Sequence, residues 1–349
     1  MKINKYLGFK MKSKTLQSDI EEFVTFFPLS HAFMNRVFLI TGATGLIGSI
    51  LIRCLVSLNL GIKIIAPVRN KKKAVDMFFD IDSSLYFIEC DIATFDYNSL
   101  GNVDYIVHCA APTASQFFIE KPVETFNIIV NGTQALLEYA KDHPIRSFVY
   151  LSSLEVYGVT EPLDIVSEEV QGYWSLTDIR SCYPIAKRSV EHLCHLYSNE
   201  YNVPVKIARL TQTTGAGIAK DDNRVIAQFA RCIANKQDIV LHSTGESARP
   251  YCYTIDAISA LLYILLLGEK GQPYNVANRA TYISARDLAE FAKDNFAPDI
   301  NIIVDIKENM GYAPPSFLPL NTSKLELLGW RPKYGLKEIF EKLISYLNE

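Results

Sequence analysis

Arg36-Val37-Phe38-Leu39-Ile40-Thr41-Gly42-Ala43-Thr44-Gly45-Leu46-Ile47-Gly48 joins a short apolar run to three glycines of the form GxxGxxG, and an apolar stretch continues to Leu58. The run predicts a strand, the glycines a tight turn, and Leu46 to Leu58 a helix. Strand, turn and helix in that order are the setting that a dinucleotide fingerprint requires. Glycines let the backbone approach a pyrophosphate, and the helix N-terminus offers unpaired N–H groups. Gly42, Thr44, Gly45, Leu46, Ile47 and Gly48 are therefore candidate cofactor contacts. A merely tight structural turn is the competing reading.

Working outward, apolar strands alternate with helices. Strands are predicted at 63–68, 85–90, 103–108, 148–151 and 205–209, and helices at about 125–141 and 181–201. Such alternation indicates a parallel sheet covered on both faces. The fold class expected is α/β, a Rossmann-like doubly wound parallel sheet with a smaller C-terminal substrate-binding lobe. Residues 1–35 form an N-terminal extension, with a short helix predicted to begin at Ser18-Asp19 and to carry Phe23, Val24, Phe26 and Phe27. The NAD(P)-binding Rossmann domain is placed at 36–212. The substrate lobe is placed at 213–349, with about 252–277 returning to the first domain. The apolar run Ala257–Leu267 is too short to span a bilayer and reads as a buried helix.

Composition excludes several classes. The 349 residues are 49% hydrophobic and 21% charged, with a formal net charge of −3. No overall positive field would draw the chain to nucleic acid; Lys71-Lys72-Lys73 reads as a solvated loop. Seven scattered cysteines form no CxxC pair, which fits a reducing, cytoplasmic setting rather than a disulfide or zinc framework. The six histidines show no HxxxH or HExxH spacing, so no metal is expected. Met1–Lys14 lacks the apolar core and cleavage site of a signal peptide. No membrane role is expected, since the polar face of the N-terminal helix is acidic.

Chemistry is carried by two further clusters. Leu151-Ser152-Ser153-Leu154-Glu155-Val156-Tyr157-Gly158 follows the fifth strand, and Ser181-Cys182-Tyr183-Pro184-Ile185-Ala186-Lys187-Arg188 opens a helix. Tyr183 and Lys187, at i and i+4, share a helix face. An ammonium beside a phenol favours the phenolate and is expected to lower its pKa. Ser153 can then hold a substrate oxygen. Glu155, two residues from Ser153, would point to the same side if the segment were extended; a strand-end carboxylate in solvent or in a salt bridge is the competing reading. The second strand ends Pro67-Val68-Arg69-Asn70, with no acid to hold a ribose 2′-hydroxyl. Arg69 can meet a 2′-phosphate or stack on adenine, which leans toward NADP without deciding between NAD and NADP. Asp91, with Ile92 beside it, is a candidate for the adenine edge; a strand-end cap is the alternative. Ala110 and Ala111 after the fourth strand allow close backbone approach.

On TGATGLIG, HCAAPTAS, SSLEVYG and YPIAK, in that order, the chain resembles the extended short-chain dehydrogenase/reductases, the nucleotide-sugar epimerase/dehydratase family, over about residues 36–347. Gly245–Asp256 resembles the family's stretch around a pyrophosphate-binding arginine, here Arg249, and Leu327–Pro332 its LGWxP signature. The resemblance implies tightly bound NAD(P), a nucleotide-sugar substrate and a homodimer paired through two helices. It implies Tyr183 as base, Lys187 as the residue that holds the nicotinamide ribose, Ser153 on the reacting oxygen and Glu155 as a second acid/base group. Gln212, Arg224 and Val225 would contact the substrate's nucleotide portion.

Within that family the motifs are most similar to those of UDP-glucuronate decarboxylases, with three departures. Leu154 stands where 4,6-dehydratases carry a proton-donating aspartic acid. Pro315–Pro319 lacks the arginines of decarboxylases, and Gln212 replaces an asparagine. Elimination favours an NAD(P)-dependent epimerase of a nucleotide-activated sugar or polyol. Decarboxylase is the alternative, then dehydratase, and remotely an inactive cofactor-binding regulator.

Overall fold

The computed structural model describes residues 12–81, 83–160, 165–306 and 316–349. Its centre is a seven-stranded, wholly parallel sheet. Six strands are β1 (Val37–Thr41), β2 (Lys63–Val68), β3 (Leu85–Glu89), β4 (Tyr105–His108), β5 (Ser147–Ser153) and β6 (Val205–Leu210). The seventh, Pro273–Val276, lies beside β6 at one edge, and the order runs from it through β6, β5, β4, β1 and β2 to β3. The order therefore reverses between β1 and β4. In open α/β sheets that switch point, at the carboxyl ends of the strands, is where ligands lodge.

The strands are apolar because helices cover both faces. Phe38, Leu39 and Ile40 in β1 and Phe148, Val149 and Tyr150 in β5 are almost wholly buried. One face carries helix Pro122–Asp142, with proline at its first position where a missing N–H costs nothing, and helix Cys182–Glu200. The other carries Leu46–Ser57 and Thr254–Leu267. The last buries residues all round, as its continuous apolar composition requires.

The second lobe has a three-stranded sheet, ordered Asn278–Ser284, Ala248–Tyr253, Gln212–Thr214, and a parallel pair, Ile239–Leu241 with Ile302–Val304. Helices Val225–Ala234, Ala285–Phe296 and Leu336–Leu347 pack around them. The chain leaves the main sheet at Leu210, returns with Thr254–Val276, and leaves again.

The N-terminal helix departs from the sequence expectation. It runs Lys14–Phe26, because Ser13 caps it by accepting from Leu16 N at 3.1 Å. Asp19 is thus not a first-turn acid but a buried mid-helix group. It accepts from Tyr253 Oη at 2.5 Å and Lys342 Nζ at 2.8 Å, which ties this helix to both later segments. The first 11 residues lie outside the described range.

Candidate active site

The glycine-rich turn shows why three glycines are needed. Gly42 has φ +68°, and a Cβ there would sit 2.8 Å from Ala110 N and from the Cys109 carbonyl carbon. A Cβ on Gly48 would lie 2.3 Å from the Gly42 carbonyl oxygen. Gly45 N donates back to Gly42 O at 3.0 Å and caps helix Leu46–Ser57 with no side chain over its N-terminus. The first N–H groups of that helix face the switch point without a side-chain partner, a cradle that fits an anionic diphosphate. The residues present therefore fit a dinucleotide, whose diphosphate Gly42, Thr44, Gly45, Leu46, Ile47 and Gly48 would hold; Ala110 and Ala111, half-buried, follow β4 beside Gly42.

The other cofactor candidates are less uniform. Arg69 is exposed at the end of β2. Asp91 is exposed, and its Oδ1 accepts from Ala93 N at 2.8 Å, as a strand-end cap does. Ile92 turns its side chain to Gly132, where an added Cβ would lie 2.8 Å from Ile92 Cδ1. Its side chain is thus a packing group.

Tyr183 and Lys187 lie in the first turns of helix Cys182–Glu200, where Pro184 occupies a position with no intrahelical N–H bond to lose. Both are buried. Lys187 Nζ lies 5.8 Å from the Tyr183 ring centre and 4.7 Å from that of Tyr150, and donates to Leu151 O at 2.7 Å. Burial pushes the Lys187 ammonium down to about 8, opposed by Glu191.

The expected lowering of the Tyr183 pKa by Lys187 is not found. Burial raises the phenol above its ordinary value, and the Glu155 carboxylate raises it further, while hydrogen bonding to Ser153 and the Arg180 charge pull it down. Desolvation wins because the ring is enclosed: Phe118 stacks on it with centroids 4.4 Å apart and planes 13° apart. The Lys187 ammonium, meanwhile, bonds the Leu151 carbonyl rather than the phenol.

Ser153 and Glu155 meet Tyr183, but not on an extended segment. Leu154–Tyr157 is a 3₁₀ turn, and the Ser153 hydroxyl caps it by accepting from Glu155 N at 3.2 Å. The alternation argument for Glu155 therefore fails, because a hydroxyl able to bond the backbone two residues on favours a turn. The Glu155 carboxylate is instead aimed by Arg180, whose Nη2 lies 2.9 Å from Oε2 and 3.1 Å from Oε1. Arg180 in turn lies on the Phe118 ring at 4.9 Å. Trp174 Nε1 holds the Glu155 carbonyl at 2.9 Å.

Arg180, Phe118 and Trp174 went unassigned in the sequence because no spacing rule links them to Glu155. Nor were the braces behind the turn apparent. Arg188 donates to the carbonyls of Val156, Tyr157 and Gly172. Arg209 grips Glu191 at 2.7 Å and Tyr157 Oη at 3.0 Å.

The substrate candidates lie in the second lobe. Gln212 is half-buried and in register with Tyr251. Arg224 donates to both oxygens of Asp222 and to Thr213 O at 2.5 Å, so its guanidinium is engaged within the protein. Val225, at the start of helix Val225–Ala234, is exposed. Arg249 Nη2 donates to Ser316 Oγ at 3.2 Å. This places a cation against the segment Ser316–Pro319, where the sequence offered none; Pro315 lies outside the described residues. Leu154 is buried. Among the described residues no group of three His, Cys, Asp or Glu side chains could hold a metal ion, and no helix is long and apolar enough to cross a membrane.

Comparison with known proteins bears on the family and the fold. The profile of the NAD dependent epimerase/dehydratase family matches residues 38–277. UDP-glucuronic acid decarboxylase 2 of Arabidopsis thaliana is 30% identical over 302 residues, which are 86% of this chain and 65% of that protein. UDP-glucuronic acid decarboxylase 6 of the same plant is 29% identical over 314 residues, 87% of this chain and 86% of that one. The chain thus spans just under two thirds of the first relative and most of the second. Among solved structures, UDP-glucuronic acid 4-epimerase from Bacillus cereus, in complex with UDP-glucuronic acid and NAD, superposes with a TM-score of 0.74 at 22% identity, covering 89% of this chain and 98% of that one. At that identity the likeness speaks for the fold.

Proposed function

The chain belongs to the NAD dependent epimerase/dehydratase family, and we propose from that premise that it is an NAD(P)-dependent epimerase of a nucleotide-activated sugar or polyol. The observation that carries this is the convergence of Tyr183, Ser153 and Glu155 at the end of β5, in the same sheet whose β1 leads into a glycine turn with no room for a side chain at Gly42 or Gly48. When bound, the nicotinamide supplies a hydride acceptor and later the donor. Ser153 holds the reacting hydroxyl, and Tyr183 takes its proton as a ketone forms. Lys187, anchored on the Leu151 carbonyl, presents its charge to the cofactor ribose. The ketone acidifies the neighbouring C–H, and Glu155, held by Arg180, exchanges that proton. Buried Leu154 can donate no proton to a leaving hydroxyl, which weighs against dehydration.

Decarboxylation is the second reading. The decarboxylase relatives favour it. Incubation with UDP-, CDP-, dTDP- and GDP-linked sugars, read by mass and NMR, separates the two. Unchanged mass with inverted configuration supports epimerisation. Loss of carbon dioxide replaces it with decarboxylation, and no turnover on any sugar counts against both. Seven unpaired thiols support a reducing, cytoplasmic setting. A homodimer through helices Pro122–Asp142 and Cys182–Glu200 is part of the same proposal, supported by exposed Val123 and Leu196.

Two substitutions follow from the site. Glu155→Gln keeps the shape but cannot take a proton. The variant is expected to accumulate reduced cofactor with substrate, seen by absorbance, and to stall before product. Product at the wild-type rate would remove Glu155 from the mechanism. Arg69→Asp is expected to shift the ratio of NAD to NADP affinity toward NAD, measured by calorimetry. An unchanged ratio would show that Arg69 is not a selector.

A further inference from the structure

Beneath the cofactor crevice lies a buried group that the proposed mechanism does not use. His108 ends β4 and is 1% exposed. Its Nδ1 is 2.6 Å from Thr41 Oγ1, and its Nε2 is 3.0 Å from Thr133 Oγ1. Proton counting assigns a direction to both contacts. Thr133 Oγ1 donates its one proton to Ile129 O at 2.7 Å. It can therefore only accept from His108, so Nε2 carries a proton. Thr41 Oγ1 accepts from Ala110 N at 3.2 Å and keeps a proton of its own to give. A neutral ring has one donor and one acceptor, and the arrangement uses each once: Thr41 donates to a bare Nδ1.

The neutral form is the one this place allows. Burial pushes the imidazole down to about 3, and the Lys187 ammonium pushes the same way. The Tyr150 ring is the neighbour from β5, with centroids 5.8 Å apart.

What the ring joins gives it a role. Thr41 immediately precedes Gly42, whose turn rests so closely on the Cys109–Ala110 peptide that a Cβ would strike it. Thr133 belongs to helix Pro122–Asp142, and Ala110 is one of the small residues that line the crevice. The ring thus ties β1, β4 and that helix together at the switch point.

We propose that His108 is a positioning residue for the cofactor: a neutral imidazole protonated on Nε2 that, through the Thr41 hydroxyl, fixes the glycine-rich turn against the Ala110 N–H and so sets the shape of the diphosphate cradle. It moves no proton during turnover. The inference rests on the cofactor-binding reading above.

Two measurements test it. In protein labelled with 15N at imidazole, long-range N–H correlations are expected to show one neutral Nε2–H ring that does not titrate between about pH 5 and 8, the range in which an ordinary histidine changes charge. The signal is to be assigned by its loss in His108→Gln. An Nδ1–H tautomer, or ordinary titration, would overturn the proposal, and this measurement needs only the wild-type fold.

The second measurement is calorimetric affinity for NAD and NADP. Thr41→Val removes the hydroxyl at nearly constant volume and leaves the Ala110 N–H and the ring nitrogen without a partner. It is expected to raise the cofactor Kd about tenfold, the usual scale for one lost buried hydrogen bond, while UDP affinity stays unchanged. Thr41→Ser keeps the hydroxyl and is expected to restore cofactor affinity. Equal loss in both variants, or no loss in Thr41→Val, would overturn the positioning role. Wild-type protein that binds neither cofactor would instead refute the proposed function, leaving the tautomer measurement standing on its own.

Discussion

Tyr183→Phe is expected to lower turnover by about 10²–10⁴-fold, the usual contribution of a positioned acid–base group, with the fold intact. The ring keeps its stack on Phe118, 4.4 Å away, so packing should survive. Only the oxygen that faces Ser153 is lost. The effect should fall on kcat far more than on cofactor affinity, since the role proposed for the phenol is on the reacting hydroxyl. The pH dependence carries a sign. Burial raises the phenol above its ordinary value, so in the free enzyme kcat/KM should still climb as pH rises above neutrality. That limb should vanish in Tyr183→Phe. Near-normal turnover in the folded variant would end the assignment of Tyr183 as base, whatever substrate is used.

Gly48→Ala is expected to have the largest effect on cofactor binding. Its new Cβ would be 2.3 Å from the Gly42 carbonyl oxygen and 2.9 Å from the Gly42 carbonyl carbon. Backbone on backbone cannot yield as a flexible side chain would. The turn must open or the helix must slide, and overpacking of this kind costs about 1–3 kcal/mol. Either movement would withdraw the N–H groups proposed to hold the diphosphate. Calorimetry should show the affinity for NAD and NADP falling by about 5- to 150-fold, the equivalent of that same 1–3 kcal/mol. Thermal melting should fall in the protein without cofactor. Gly101→Ala, where an added Cβ meets nothing within 4 Å, serves as the control and should change neither. Wild-type affinity in Gly48→Ala would show that the turn is not the diphosphate site.

Much of the site was legible because local rules produced it. A strand followed by GxxGxxG and a helix constrains its own backbone: Gly42 must adopt φ +68°, and Gly48 must pass a carbonyl. Tyr183 and Lys187 share a helix face through the 3.6-residue period alone. The apolar runs at 63–68, 105–108 and 205–210 could pack only as strands buried on both faces.

Where the sequence misled, a competing local interaction or burial won. Glu155 was placed by strand alternation, yet the Ser153 hydroxyl bonds Glu155 N and turns the segment into a 3₁₀ helix. Asp19 looked like a helix start, but Ser13 caps the helix earlier and leaves Asp19 buried against Tyr253 and Lys342. Lys187 was expected to acidify Tyr183. Its ammonium is anchored on Leu151 O, and enclosure raises the phenol instead.

By itself, then, the sequence determined the parallel α/β architecture, the glycine cradle and the Tyr183–Lys187 pair, since each follows from periodicity or steric necessity within a few residues. Only the tertiary structure decided the partners that come from far along the chain. Arg180 aims Glu155 from 25 residues away, Arg209 clamps Tyr157 from 52, and His108 meets Thr41 from 67 and Thr133 from 25. It also shifted acidities, pushing Lys187 down to about 8 and His108 to about 3. Those contacts and pKa values depend on which side chains packing brings together and on how much water it removes, and neither is encoded in the spacing of neighbouring residues.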